Sequence, residues 1–419
     1  MKKSPAGGVA FVCQWYPPEP ASVPQGIAAA LAESGLSVRV LTGVPNYPTG
    51  VVPDGFAAWR PSREMRDGLR VQRTPLYPSH DASAPRRLLN YASWAVSSAF
   101  FGQGLLRSSD VALVYSSPAT AALAAMVARR LWGTPYVLLV QDVWPDSIFA
   151  SGFLTGAVGR VARRVLDVFV GRTYRGADHV AVTSPGMIDL LASRGVPPEK
   201  LSVVHNWVDE GPVADADETS TSRVRESWGI GADDFVLMYA GNHGQAQALQ
   251  PIVEVFADLP RDAGCHLVLI GDGVAKAGLI DSARGNATIH FMDAVPREDM
   301  AALMSASDAQ LVSLADEPLF AVTMPSKVQS ILAAGLPLLV SATGDSADVV
   351  RSAGAGLTVA PGDRQALRDA VLQLAGMGRA ERRQLGRRGR GWYDEHMSRA
   401  VGSEALHRLL ERAVERRRA

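Results

Sequence analysis

Met324-Pro325-Ser326-Lys327, continuing as VQSILAAGLPLLVSATGDSADVV to Val350, is the stretch that decides the fold. It reads as a loop, a short helix, a buried strand and a second loop that opens another helix. Pro325 precedes Ser326 and Lys327 at the helix start. Free backbone N–H groups and the positive end of the helix dipole favour an anion there, and a lysine adds a point charge. Gly335 and Pro337 stop the helix, and LPLLVSA has the unbroken apolar character of a parallel strand covered on both faces. Thr343-Gly344-Asp345-Ser346 follow at that strand's carboxyl end, where open α/β sheets bind ligands. Taken alone, the stretch also fits an ordinary αβα unit with one surface lysine.

The alternation extends in both directions. Towards the amino terminus lie GVAFVC (8–13), SVRVLT (37–42), LRVQRT (69–74), DVALVY (110–115), YVLLV (136–140), DHVAVT and LSVVH, separated by helical patterns. After EGPVADADETSTS, an acidic run of small polar residues read as a linker, the pattern restarts with FVLMYA (235–240), CHLVLI (265–270), ATIHFM (287–292), DAQLVS (308–313) and GLTVA. The fold expected is α/β, with two Rossmann-like doubly wound parallel-sheet domains facing a central cleft. The domains span residues 1–209 and 210–392, and a basic helical tail, 393–419, packs back onto the first, with Trp392 and Tyr393 at the break.

Composition narrows the function. At 419 residues, 47% hydrophobic and 20% charged, the chain has a soluble globular balance. Its formal net charge of zero speaks against nucleic acid as a partner. The charge is uneven: residues 1–200 hold 20 Lys+Arg against 13 Asp+Glu, a balance of +7 that the remainder reverses. A basic first half suits a phosphorylated acceptor or a membrane surface, or is simply a solvated basic face. Cys13 and Cys265 sit singly in strand-like runs, as reduced thiols of a cytosolic protein would. The amino terminus lacks the pattern of a signal peptide. LLNYASWAVSSAFFGQGLL (88–106) is too polar to span a bilayer, and reads as a domain helix or a helix lying on a membrane surface.

Loops at the carboxyl ends of strands carry the candidate chemistry. Asn46 follows the second strand, and Gln141-Asp142 follows YVLLV, placing Asp142 either to touch a ligand or to cap the turn. Gly241-Asn242-His243-Gly244 follows the restart strand, and its glycines permit a nest of N–H donors for phosphate oxygens. LVLIGDG (267–273) repeats strand, glycine, acid, glycine, with Lys276 beyond it. Neither the dinucleotide fingerprint nor a Walker lysine motif occurs. Asp215 and Asp217 resemble a metal-binding pair but lie in the linker with no strand leading to them. The histidines have no zinc spacing: His205 and His290 read as core residues, and His243 alone falls in a candidate loop.

LTGVPNYPTG, QDVWPDS, YAGNHGQAQAL, GDGVAK, MPSKVQSILAAGLPLL and GDSADVV, in this order, resemble the GT-B glycosyltransferases. More narrowly they look like family 4 retaining enzymes of the WbuB or colanic-acid type, which transfer N-acetylfucosamine or related sugars in bacterial surface-polysaccharide assembly. The resemblance implies that the second domain binds a nucleotide-sugar donor, usually a UDP-sugar. Gly241, Asn242 and Gly244, with Ser326 and Lys327, would hold the diphosphate; His243 lies among them. Gln247 and Asn242 stand where many relatives carry a lysine and an arginine. Gly271 and Asp272 would lie beside the nucleoside, and Asp345 and Ser346 near the ribose or donor sugar. Asn46 and Asp142 would face the acceptor, Asp142 at the reacting hydroxyl. Two glutamates common in the family are replaced by Val322 and Ser330, leaving Asp316, Glu317 or Gln329 as substitutes.

The implied reaction is metal-independent displacement at the anomeric carbon with retention, without a cofactor. Lys327 and helix-terminal N–H groups would neutralise the leaving diphosphate. The acceptor would be a sugar or lipid-linked sugar, met in the cytoplasm at the inner face of the plasma membrane. Two other readings are a nucleotide-sugar epimerase on the same fold and a non-catalytic nucleotide-sugar-binding subunit.

Overall fold

The structure, a computed structural model, describes residues 7–79, 84–150, 156–208 and 218–418. The chain divides into two units, Met1–Asn206 together with Arg399–Ala419, and Trp207–Ser398. In the first, eight strands form one sheet: β1 (Gly8–Val12), β2 (Ser37–Gly43), β3 (Ser62–Arg66), β4 (Leu69–Thr74), β5 (Val111–Ser116), β6 (Tyr136–Val140), β7 (His179–Val182) and β8 (Leu201–Val203). Their order, β3-β4-β2-β1-β5-β6-β7-β8, reverses direction between β1 and β5. In a doubly wound sheet that reversal opens a crevice at the carboxyl ends of the strands.

All of these strands pair in parallel except β3, which runs antiparallel to β4. The sheet is parallel as expected, with one antiparallel strand added at its edge. β3 reads SREMR and lies largely in solvent, so it lacks the apolar run that marks the buried strands. Asp67 and Gly68, at φ 49° and 76°, make the two-residue turn into β4. That conformation suits the right-handed twist of a hairpin.

The second unit holds β9 (Phe235–Ala240), β10 (Cys265–Ile270), β11 (Ile289–Met292), β12 (Ala309–Ser313), β13 (Leu338–Ser341) and β14 (Gly356–Val359). They are ordered β11-β10-β9-β12-β13-β14 and pair in parallel, with the reversal between β9 and β12. Alternate residues of each strand enter opposite cores, as strand periodicity requires. Val236 and Met238 pack with Val328, Leu332 and Val340 on one face. Phe235, Leu237 and Tyr239 pack with Leu267, Leu311 and Val371 on the other.

Three features differ from the sequence reading. Residues 88–106 form two helices, Ala84–Phe101 and Gln103–Arg107, broken at Gly102. Residues 218–222, assigned to the linker, begin the helix Glu218–Ser227. Trp392 and Tyr393 lie inside the helix Arg379–His396 rather than at a break; Tyr393 Oη donates to the Val208 carbonyl at 2.9 Å and accepts from the Val208 N–H at 3.0 Å. The terminal helix Arg399–Arg418 buries Leu406, Leu409, Leu410, Ala413 and Val414 along one stripe. It packs against β5, β6 and the helix Ser22–Glu33. No described helix is long and apolar enough to cross a membrane.

Beneath the second sheet, Asp308 joins two largely buried arginines. Its carboxylate receives Arg225 Nη2 at 2.5 Å, Arg382 Nη2 at 3.0 Å and the N–H of Val236 at 2.9 Å.

Candidate active site

The stretch from Ser326 onward folds as the sequence indicates. The helix Ser326–Ala334 buries Val328, Ile331 and Leu332 and ends at Gly335, whose φ of 73° is a left-handed cap. β13 follows, and then the helix Asp345–Ala353, opened by Gly344 at φ 67°. A Cβ on Gly344 would overlap the Ala321 carbonyl. Only glycine lets the loop after β13 close onto residues 321–323, immediately before the Pro325-Ser326-Lys327 turn. Ser346 is fully buried, with Oγ 3.5 Å from the Thr323 carbonyl, and Asp345 is buried beside it.

The glycine loop after β9 meets the same turn. Gly241 has φ 139°, and a Cβ there would stand 2.8 Å from both Cε and Nζ of Lys327. The Lys327 ammonium thus faces bare backbone, and lies 3.5 Å from the centre of the Tyr239 ring. It makes no hydrogen bond or ion pair among the described residues. Desolvation brings its pKa down to about 7. A half-buried amine over an aromatic face, without a carboxylate beside it, is suited to an incoming anion.

The remaining loops lock this arrangement. Gly271 packs so tightly on Gly241 that a Cβ would overlap the Gly241 carbonyl. The N–H of Gly241 bonds the Ile270 carbonyl at 2.8 Å, and that of His243 bonds the Asp272 carbonyl at 2.7 Å. Gln247 Oε1 accepts from the Gly244 N–H at 3.1 Å and from Asn242 Nδ2 at 3.4 Å, so both polar side chains shape the loop. Tyr239 Oη donates to the Asn242 carbonyl at 2.8 Å. Ser326 and Asp272 are exposed. His243 is fully buried, and neither ring nitrogen has a well-formed partner among the described residues. Desolvation, with Lys276 and Lys327 nearby, lowers its pKa and keeps it neutral. Lys276 is occupied: its Nζ bonds the carbonyls of Gly271 and Met292 and the carboxylate of Asp293. Gln329 is buried, whereas Asp316 and Glu317 are exposed.

In the first unit, Asp142 follows β6 and accepts from Ser117 Oγ, on the loop after β5, at 2.8 Å. Its carboxylate reaches solvent between these loops, yet desolvation by the surrounding protein raises its pKa above the ordinary carboxylate value. Asn46 is different. It is 2% exposed, its Nδ2 donates to the Val44 carbonyl, and its Oδ1 accepts from Asn90. The structure therefore shows Asn46 bracing its loop from within. Glu19, absent from the sequence reading, organises this corner. Its carboxylate accepts the N–H groups of Tyr16, Asn46 and Tyr47, and desolvation still pushes its pKa up to about 6. An aromatic run was also missed: Tyr47, Trp15, Tyr91 and Trp144 stand in successive ring contacts of 5.3, 6.1 and 5.8 Å. They come from three loops and a helix, and only the abundance of aromatics after strands could have signalled them.

His205 and His290, read as core residues, are half-buried: His205 Nδ1 lies 2.9 Å from the Thr183 carbonyl, and His290 stacks on His266. Cys13 and Cys265 are buried free thiols. Asp215 and Asp217 lie outside the described residues, among which no group of three or more acidic, histidine or cysteine side chains is placed to hold a metal.

Comparison with known proteins draws the two halves together. Residues 20–207 match a glycosyl transferase 4-like domain, and residues 234–376 match the glycosyl transferases group 1 domain. The chain is a glycosyltransferase. This transferase is 28% identical over 315 residues to the putative colanic acid biosynthesis glycosyl transferase WcaI of Escherichia coli K12, covering 74% of this chain and 77% of the relative. Among solved structures it resembles HepE of Anabaena in complex with UDP, with a TM-score of 0.66 at 15% identity over 96% of this chain and 99% of the other. It also resembles WaaG, a glycosyltransferase involved in lipopolysaccharide biosynthesis, with a TM-score of 0.64 at 17% identity over 95% and 98%. The transferase has the GT-B fold, two parallel-sheet α/β domains.

Proposed function

We propose that this transferase moves a sugar from a UDP-sugar to a hydroxyl of a sugar or lipid-linked sugar acceptor, with retention, in the assembly of a bacterial surface polysaccharide. The observation that carries the reading is Lys327, an amine without an ion-pair partner among the described residues, held over Tyr239 and against the backbone of Gly241. The HepE structure contains UDP and WcaI is named for colanic acid synthesis, which supports uridine and the polysaccharide role.

On this reading the donor diphosphate lies along the Gly241–Gly244 loop and the start of the helix Ser326–Ala334. Lys327 and the backbone N–H groups at the start of that helix hold the charge that grows on the leaving phosphate. Tyr239 and the surrounding burial keep water away from the ammonium, so its attraction for the phosphate is screened less than in bulk solvent. Asp345 and Ser346, closed against residues 321–323 by Gly344, border the ribose or sugar, and Gly271 and Asp272 border the nucleoside. The first unit binds the acceptor. Asp142 orients the attacking hydroxyl, while the departing phosphate oxygen takes its proton on the same face of the sugar ring. No protein nucleophile and no metal is required by this scheme. The acceptor step takes place at the cytoplasmic face of the membrane, which the basic first unit contacts peripherally.

Transfer assays with a panel of UDP-, GDP- and TDP-sugars test the reading. Lys327→Ala should lose about 2–4 kcal/mol of transition-state stabilisation. Wild-type transfer and donor-hydrolysis rates in that variant would refute the placement of the diphosphate.

A further inference from the structure

A second concentration of unpaired charge lies in the first unit, away from the loops that carry Asn46 and Asp142. A cavity of about 470 Å³ is bounded by Arg39, Arg63, Arg70, Gln72, Leu105 and Ser108, with Glu64 also on its wall. Arg39 and Arg70 are direct neighbours across β2 and β4, and Arg63 comes from the antiparallel edge strand, opposite Gln72. These positions lie in the amino-terminal half of β2 and β4, whereas the candidate active-site loops leave the carboxyl ends.

Among the described residues none of the three guanidinium groups forms an ion pair, although the Asp110 carboxylate partly offsets the charge of Arg39. Arg39 is held by Ser108 and Ser109, through bonds of 2.8 Å to Ser108 Oγ, 2.7 Å to the Ser108 carbonyl and 2.8 Å to Ser109 Oγ, all uncharged partners. Arg63 and Arg70 make no hydrogen bond or ion pair among the described residues. Glu64, the acid on the wall, is already engaged by buried Arg73 at 2.7 Å and by Arg66 at 3.2 Å. Desolvation and then repulsion from Arg70 lower the pKa of Arg39. Like charges directly opposite on neighbouring strands are destabilising. A stable sheet that keeps this pair around a cavity gains when an anion fills it. Guanidinium forks match the paired oxygens of a phosphate, and three of them balance a dianion with charge to spare.

We propose that this cavity is a second anion site, taking a phosphate-type dianion. The group could be carried by a free phosphorylated molecule or by a lipid headgroup. The surroundings fit the second source as well: Gln72 on the wall donates to the Phe101 carbonyl at 2.7 Å, and the helix Ala84–Phe101 exposes Leu89, Val96, Phe100 and Phe101. The proposal does not rest on the donor reading and would survive its failure.

Binding of pyrophosphate to the full chain by calorimetry, and flotation with vesicles of phosphatidic acid and phosphatidylcholine or of phosphatidylcholine alone, form the test. Wild type, R63Q/R70Q and K327A are compared. Pyrophosphate binding that persists in K327A and weakens about tenfold or more in R63Q/R70Q supports the site and a free anion. Flotation with the anionic vesicles alone, reduced about tenfold in R63Q/R70Q, supports the site and a headgroup. Equal binding by wild type and R63Q/R70Q in both assays, no binding in either, or pyrophosphate binding abolished by K327A without any vesicle binding, overturns it. Both arginines are exposed, and the single variant R70Q repeats the comparison if the double variant does not fold.

Discussion

Lys327 is where residue chemistry sets the behaviour of the donor site. With its pKa brought down to about 7 by desolvation, the amine is largely neutral above that pH and largely charged below it. A bound diphosphate favours the charged form, so binding above about pH 7 takes up a proton. UDP affinity should fall as pH rises beyond 7, by up to about tenfold per pH unit. Calorimetry in two buffers of different ionisation enthalpy would reveal the proton uptake, and Lys327→Met should flatten the dependence. The same lysine has a folding consequence of defined sign. Between about 7 and its ordinary 10.5, the unfolded chain holds a proton that the folded site does not. Its contribution to stability therefore rises with pH across that window. Lys327 was legible in sequence because the proline and serine beside it mark a helix start. Asn46 was not, because what consumes it is Glu19, 27 positions away, and Asn90, 44 positions away. Nothing in the motif around Asn46 encodes those partners.

At the scale of elements, Asp308 ties the helix Glu218–Ser227, through Arg225, to the helix Arg379–His396, through Arg382, and both to β9. Removing the carboxylate strands two largely buried guanidinium groups. Asp308→Ala should cost about 3–5 kcal/mol of stability, read by denaturant unfolding. An unchanged midpoint would show that water satisfies the arginines. The central strands were readable as apolar runs because helices cover both faces of each sheet. β3 escaped notice because an edge strand needs only one partner and carries charge on its open side. The break at Gly102 escaped for a different reason: a Cβ there would collide with the Leu41 side chain and the Ser98 carbonyl, a crowding set by the fold and not by the local sequence.

Across the whole molecule, the first unit is completed by the last helix of the chain. Truncation after Ser398 removes Leu406, Leu409 and Leu410 from the face formed by β5, β6 and the helix Ser22–Glu33. The truncated protein should show a separate, lower melting transition for the first unit, while UDP still stabilises the second. A single unshifted transition would contradict the assignment of the helix. The sequence reading placed this return at residue 393, but Tyr393 is fixed to Val208, and the return begins at Arg399, paired with Glu33 at 2.8 Å. During synthesis, then, the opening two hundred residues emerge with an unfilled apolar trough. They wait until residues 399–418 have been made before their own core can close. A stop codon that removed residues 399–418 would damage the unit made earlier, and a chaperone that shields the nascent chain has that trough as its natural foothold.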